Sequence, residues 1–469
     1  MQLTQKDLLQ VRHVRTFHLE QLKTIRSIST DSRTVRAGDL FVALRGEQFD
    51  GHDFIEQVVD ARAGALIVED AWFELKGRWL TTRTLPVLVV NNTTFALGEV
   101  ARIHRRKFRI PVIAVGGSNG KTTTKEMIAN VLGSRFSVLS TAGNLNNHVG
   151  VPQTLFRLKQ KHHVAVVEIG TNHFGEVNYL CTILEPTHGL ITNIGREHLE
   201  FFGKLSGVAR AEGELFLWLA AHGNRYARGI VNADDPWVVK QAIRLKRKFS
   251  YGFQNKNVDV RGRVLRYDRQ MCAELEVTPK GKKSFVVKLN VPGEHHAANA
   301  LAAAAVGLLF KVPPAKIQKA LESFRAVSKR MQLLRLRGVT VLDDAYNANP
   351  DSVLAALRTL GALETRGKRI AVLADMLELG ASAEEAHRAV GRAAGTAGVE
   401  YLLTYGSLAR YIHEAASVKF KSHFDQKNML AEYLLELLSA GDVVLIKGSR
   451  GMKMEDVVTF LQERLRRAA

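Results

Sequence analysis

Apolar positions along the chain fall into two recurring arrangements. Short continuous apolar runs, bounded by turn residues, alternate with longer stretches whose apolar positions recur at helical spacing. In the first hundred residues, Asp39–Gly46 reads as a buried strand ended by glycine. Gly64–Glu69 and Leu85–Val90 repeat that pattern, with helical segments between them. This predicts a small α/β unit, left through a basic helix end at Ile103–Arg109.

The pattern then becomes strongly α/β. Ile110–Val115, Val164–Val167 and Gly189–Thr192 are continuous apolar runs, as expected of parallel strands covered on both faces. Helices intervene, so a doubly wound sheet is predicted. Residues 250–290 alternate short strands with polar turns, which suggests an antiparallel patch. A third unit begins near Val327, with four apolar strands at βα spacing: Val339–Asp343, Ile370–Ala374, Tyr401–Thr404 and Val443–Ile446. No internal repeat or low-complexity tract interrupts the series.

Composition adds bounds to this picture. The 469 residues suit about three domains at roughly 150 residues each. The longest apolar run, Ala300–Phe310, is too short to span a bilayer, and the first residues lack the apolar core of a secretory signal. The two cysteines, Cys181 and Cys272, cannot build a disulfide framework or a cysteine-rich zinc site, and suit buried thiols of a cytoplasmic protein. The net charge is +20, and its strongest clusters, Arg105–Lys107 with Arg109 and Arg244–Lys248, are short. No aromatic residues alternate with these charges, so they read as solvated basic faces.

The sharpest local signal is Val115–Thr124, with sequence VGGSNGKTTT. It follows an apolar strand and opens a helical run, Thr122–Leu132, which is the context that gives such a loop meaning. Gly116, Gly117 and Gly120 allow the backbone to wrap a phosphate with its N–H groups, and the helix N-terminus adds partial positive charge. Lys121 is placed to reach terminal phosphates, and Thr122 to offer its hydroxyl to Mg²⁺. The strict spacing G-x-x-x-x-G-K-[ST] fails, because Val115 stands at its first position.

Gly117–Thr123 resembles the ATP loop of the Mur ligases. Further segments resemble that family in its own order: Thr141–Asn147, Glu168–Asn172, Thr192–His198, Asn232–Asp235, Asp343–Pro350 and Lys447–Arg450. The resemblance runs from about residue 25 to about residue 455. It implies three domains: residues 1–106 binding the UDP-linked substrate, a central P-loop-type ATP domain over 107–326, and a Rossmann-like domain over 327–469 that receives the incoming dipeptide. GNLNN and DDAYNANPDS point within the family to ATP-dependent ligation of D-alanyl-D-alanine to UDP-N-acetylmuramoyl-tripeptide, in peptidoglycan synthesis. The implied reaction passes through an acyl phosphate and yields ADP and phosphate. ATP and Mg²⁺ are the implied cofactors. The two substrates are the implied partners of a cytoplasmic monomer that neither enters a membrane nor binds nucleic acid.

Residue roles follow from the same resemblance. Gly117, Ser118, Asn119, Gly120, Lys121, Thr122 and Thr123 are expected at ATP, joined by Asn299, Arg330 and the ribose acid Asp344. Thr122, Glu168, His198 and Glu212 are expected at metal, with Lys121, Glu168, His198 and Glu212 serving catalysis. Ser32, Arg33 and Arg45, together with Asn144, Asn146 and Asn147, are expected at the UDP-linked substrate. Tyr346, Asn347 and Asn349 are expected near the dipeptide, and Lys447 and Arg450 at anionic groups. Two positions depart from the family pattern. Glu212 stands where many Mur ligases carry a carbamylated lysine, and His296 stands where asparagine is usual. The alternatives are a sister ligase that adds a diamino acid or lysine, whose Asp-Asn-Pro-Arg motif is missing here, and a basic nucleic-acid-dependent ATPase. The latter leaves the N-terminal segments and DDAYNANP unexplained.

Overall fold

In the computed structural model, which describes residues 3–223 and 226–467, the strands assemble into three mixed sheets of five, nine and six strands. The first contains β1 (Arg15–Phe17), β2 (Ile28–Ser29), β3 (Leu40–Val42), β4 (Ala65–Glu69) and β5 (Val87–Val90). The second contains β6 (Val112–Gly116), β7 (Val138–Ser140), β8 (Val164–Glu168), β9 (His188–Ile191), β10 (Arg228–Asn232), β11 (Lys248–Gly252), β12 (Val260–Tyr267), β13 (Cys272–Pro279) and β14 (Phe285–Pro292). The third contains β15 (Gln332–Leu336), β16 (Val339–Asp344), β17 (Arg369–Ala374), β18 (Tyr401–Tyr405), β19 (Phe420–Phe424) and β20 (Val443–Lys447). Each sheet therefore draws its strands from one of the three stretches expected from the sequence.

By compactness the chain divides into two units. One comprises Met1–Ala114, Ser137–Gly170 and Glu176–Thr187. The other comprises Val115–Phe136, Thr171–Gly175 and His188–Ala469. In the first unit the five-stranded sheet has the order β1-β5-β4-β3-β2, parallel except for β1. Its strands are apolar on both faces for a physical reason. Leu40, Val42, Ile67 and Leu88 pack into one core, while Phe41, Leu66, Val68 and Val87 pack into the other. The strand expected over Asp39–Gly46 is shorter than the sequence suggested. Beyond Val42 the chain turns back, the Gly51 N–H bonding to the Leu44 carbonyl at 2.8 Å and Gly46 N–H to that of Phe49 at 2.9 Å. The same unit carries β7 and β8 as a parallel pair.

In the second unit, β9, β10, β11 and β12 are parallel neighbours, and β12, β13 and β14 form the antiparallel patch foreseen over 250–290. The six-stranded sheet, ordered β15-β16-β20-β17-β18-β19, is parallel except for β15. Adjacent residues of its central strands again enter opposite cores: Leu342, Leu373 and Leu445 one, Val341, Val372 and Val444 the other. The strands β15 and β19 escaped the sequence reading. Both are edge strands with polar or exposed positions, and neither has the buried apolar run that marks the inner four. Cys181 and Cys272 are buried. Among the described residues no helix is long and apolar enough to cross a membrane.

Candidate active site

In the second unit the loop after β6 runs directly into the helix Lys121–Gly133. Gly117 and Gly120 have φ of +111° and +80°, where a side chain is strained. Space forbids one as well. A Cβ on Gly117 would lie 2.7 Å from the Thr192 nitrogen, and one on Gly120 would lie 2.5 Å from Asn299 Oδ1. The segment Thr192–Gly195 holds the loop in place. Ser118 N–H bonds to the Asn193 carbonyl at 2.9 Å, Asn119 N–H to Asn193 Oδ1 at 3.0 Å, Thr192 Oγ1 to the Asn119 carbonyl at 2.7 Å, and Gly195 N–H to Ser118 Oγ at 2.8 Å.

Lys121 curls over this loop. Its ammonium donates to the Gly117 carbonyl, to the Ser118 carbonyl at 3.3 Å and to Glu197 Oε2 at 3.4 Å. Glu212 lies beneath, 1% exposed, and accepts the Gly117 N–H at 2.7 Å through Oε2. Burial pushes its carboxyl up to about 7, against the attraction of Lys121; Glu197 adds to the rise. Glu212 Oε1 and Thr122 Oγ1 are buried with no hydrogen-bond partner, as is Asn299 Nδ2, whose Oδ1 accepts from Thr124 Oγ1 at 3.1 Å. Three residues expected from the sequence at metal or nucleotide thus each hold an unspent buried polar atom, which is costly unless a ligand satisfies it.

His198 sits close by in the left-handed region at φ +48°, with Nδ1 against Glu378 and Nε2 4.0 Å from Glu197. Asn349 caps the helix Pro350–Ala362 and donates Nδ2 to Asn119 Oδ1 at 2.9 Å, which joins the DDAYNANP segment to the phosphate loop. Asp344 is engaged by Lys447 Nζ at 2.5 Å and by Met331 N–H at 3.0 Å. Arg330 lies over the Tyr346 ring at 4.0 Å, with Arg450 at 5.7 Å from the same ring. Asn347 accepts the Arg450 N–H at 3.2 Å, and its own carbonyl accepts from Lys447. His296 is buried, donates Nδ1–H to the Pro292 carbonyl at 2.7 Å, and is held to about 4 by desolvation.

In the first unit, Glu168 ends β8 and is 1% exposed. Asn146 Nδ2 donates to its Oε1 at 2.9 Å, while Oε2 is buried without a partner. Asn147 Oδ1 accepts the N–H groups of Val149 at 3.2 Å and Gly150 at 2.9 Å, just ahead of the helix Gly150–Phe156, and Asn144 is exposed. Arg33 is clamped on Asp31 at 2.9 and 2.8 Å, and Arg45 lies on Asp50 at 3.0 Å, so neither guanidinium is held ready for a diphosphate alone. Ser32 opens the turn Ser32–Thr34 beside them.

Sequence reasoning missed Glu197, Arg196, Asp351 and Glu378. Glu197 and Arg196 lay in plain view beside His198. Their importance depends on partners far along the chain, which spacing does not reveal. Among the described residues no three histidine, cysteine or acidic side chains converge on one point, so any metal would complete its shell with other ligands.

Residues 115–307 match the Mur ligase middle domain, 329–450 the glutamate ligase domain of Mur ligases, and 24–105 the catalytic domain of the Mur ligase family. The chain belongs to the Mur ligase family. It is 39% identical over 452 residues to the UDP-N-acetylmuramoyl-tripeptide–D-alanyl-D-alanine ligase of Escherichia coli, covering 94% of each chain. It is 34% identical over 456 residues to the Bacillus subtilis enzyme of the same name, covering 94% of this chain and 93% of that one. The crystal structure of MurF from Acinetobacter baumannii superposes with a TM-score of 0.89 at 32% identity, covering 99% of both chains. MurF from Thermotoga maritima, in complex with ADP, gives 0.82 at 28% identity, with 95% of this chain and 99% of that one covered. The loop of this Mur ligase therefore sits in a scaffold whose relative was crystallised with a nucleotide.

Proposed function

We propose that this Mur ligase joins D-alanyl-D-alanine to UDP-N-acetylmuramoyl-tripeptide at the expense of ATP, through an acyl phosphate, with release of ADP and phosphate. The observation that carries the reading is the identity to ligases of that name along almost the whole chain. The glycine-bound phosphate loop supports it. A sister activity on a free diamino acid and a nucleic-acid-dependent ATPase have no comparable support.

The reaction needs no protein nucleophile, so catalysis rests on positioning and charge. Lys121 neutralises charge on the transferring phosphoryl group, giving up the loop carbonyls it holds in this structure. Thr122, Glu212 and His198 are the residues of the second unit that would hold Mg²⁺, and Glu168 is the first unit's own candidate metal residue. The unpartnered oxygens of Thr122, Glu212 and Glu168 fit that task. When bound, the cation screens the phosphates and polarises them for attack. Asn299 would meet the base and Asp344 the ribose once Lys447 shifts. Arg330 would meet the phosphates, and Tyr346, Asn347 and Asn349 the dipeptide. Ser32, Arg33, Arg45, Asn144, Asn146 and Asn147 serve the UDP-linked substrate, Asn146 by steadying Glu168 and Asn147 by holding the backbone at Gly150. The domain limits 1–106, 107–326 and 327–469, a monomeric state and a cytoplasmic location complete the proposal. Phosphate release with UDP-muramoyl tripeptide and paired amines tests it. Release dependent on D-alanyl-D-alanine is expected, and release driven by a free diamino acid instead would refute it.

A further inference from the structure

The phosphate loop has an unusual charge balance. One ammonium, Lys121, faces two buried acids, Glu197 at 7% and Glu212 at 1% exposure. Glu212 also occupies the Gly117 N–H at 2.7 Å, a donor of the kind that phosphate oxygens use in such loops. A nucleotide arriving without a cation would meet two buried acids beside the lysine and one donor already spent. Because both acids are buried, little salt or water lies between them and the phosphates to screen the repulsion.

The second observation lies on the same groups. Glu212 Oε1 and Thr122 Oγ1, at 1% and 4% exposure, are both without a hydrogen-bond partner. A divalent cation held by these oxygens would turn the carboxylates from competitors of the phosphates into partners of the metal–nucleotide complex. We propose that Glu197 and Glu212 make this loop select cation-complexed nucleotide over free nucleotide, acting as specificity-determining groups beside Lys121. The proposal rests on the ATP-binding reading above and adds the selection rule to it.

The test is ADP binding by calorimetry on the full chain at pH 8, with Mg²⁺ or with EDTA. The native protein should bind ADP at least roughly tenfold more weakly in EDTA. Glu212→Gln keeps the shape and an acceptor for the Gly117 N–H but removes the charge, and Glu197→Gln does the same beside Lys121. Each should raise metal-free affinity about tenfold and shrink the Mg²⁺ dependence, including at high salt. A damaged loop can only lose affinity, so this gain separates electrostatic selection from a structural role. Equal binding by the native protein with and without Mg²⁺ would overturn the proposal, as would unchanged metal-free affinity in both variants. No ADP binding under any condition would instead remove the nucleotide reading itself, and the proposal with it.

Discussion

Asp351 receives three hydrogen bonds from Arg196, one from its backbone N–H at 2.7 Å and two from its guanidinium at 3.1 and 2.6 Å. Asp351 stands in the first turn of the helix Pro350–Ala362, where negative charge is favourable, and Arg196 follows the segment that pins the phosphate loop. The pair is partly solvated, at 39% and 37% side-chain exposure, so screening limits its worth to about 1 kcal/mol. A double-mutant cycle of Arg196→Ala and Asp351→Ala, followed by urea denaturation, should show coupling of that size. Strict additivity would mean that the contact contributes nothing.

Lys121→Ala should abolish turnover while leaving the fold intact. Lysine and alanine both favour helix, so the first turn of Lys121–Gly133 tolerates the exchange. A loss of at least a hundredfold in phosphate release is expected, on the scale of removing one charge-stabilising donor. Circular dichroism melting should change little. Retained turnover would remove Lys121 from the mechanism.

Gly117 and Gly133 should respond oppositely to alanine. Gly117 combines φ of +111° with the close approach of Thr192, so Gly117→Ala should cost on the order of 2–4 kcal/mol and nucleotide binding with it. Gly133 ends a helix and faces open space. Gly133→Ala should be neutral or stabilise by about 0.5–1 kcal/mol. Thermal melting of the two variants decides the matter; similar losses in both would contradict the steric account.

Burial pushes the Asp343 carboxyl up from 3.8 to about 6, with the Ala345 N–H opposing the rise and Asp344 adding to it. Its folded value exceeds its unfolded one. Between roughly pH 4 and 6 the folded protein keeps a proton that the unfolded chain releases, so this contribution is complete below pH 4 and lost as pH rises through 6. Asp343→Asn should flatten that part of the stability profile by about 2–3 kcal/mol. Denaturation midpoints measured from pH 4 to 7 that run parallel in native and variant would rule this out.

The layered α/β plan was legible because buried parallel strands need apolar residues on both faces, as Ile370–Leu373 and Val443–Ile446 show. The phosphate loop was legible because its glycines answer a backbone demand that is local. The edge strands β15 and β19 were not, since exposure removes the apolar run. Nor were the partners of loop and motif. Asn119 meets Asn349 and Arg196 meets Asp351 across more than 150 residues of chain, and Glu378 reaches His198 from the third sheet's connections. Such pairings follow from tertiary packing, and sequence spacing carries no trace of them. Arg33 and Arg45 were expected at the diphosphate from sequence, but the carboxylates of Asp31 and Asp50 that hold them were visible only in the fold.

On the proposed reading, Glu212 takes the place of the carboxylate that many Mur ligases install by carbamylating lysine. Here the carboxylate is encoded, buried, and fixed by the Gly117 N–H. It needs no carbon dioxide to form, and a buried glutamate cannot lose it by hydrolysis. Phosphate release in rigorously carbon-dioxide-free buffer should therefore match the rate with added bicarbonate, and intact-protein mass spectrometry should show no carbamate. Glu212→Asp keeps the charge but shortens the reach, and should retain more activity than Glu212→Ala, which leaves the loop N–H unpaired at a cost of about 1–3 kcal/mol. Activity that collapses without bicarbonate and returns with it would show that a lysine elsewhere carries the function assigned to Glu212.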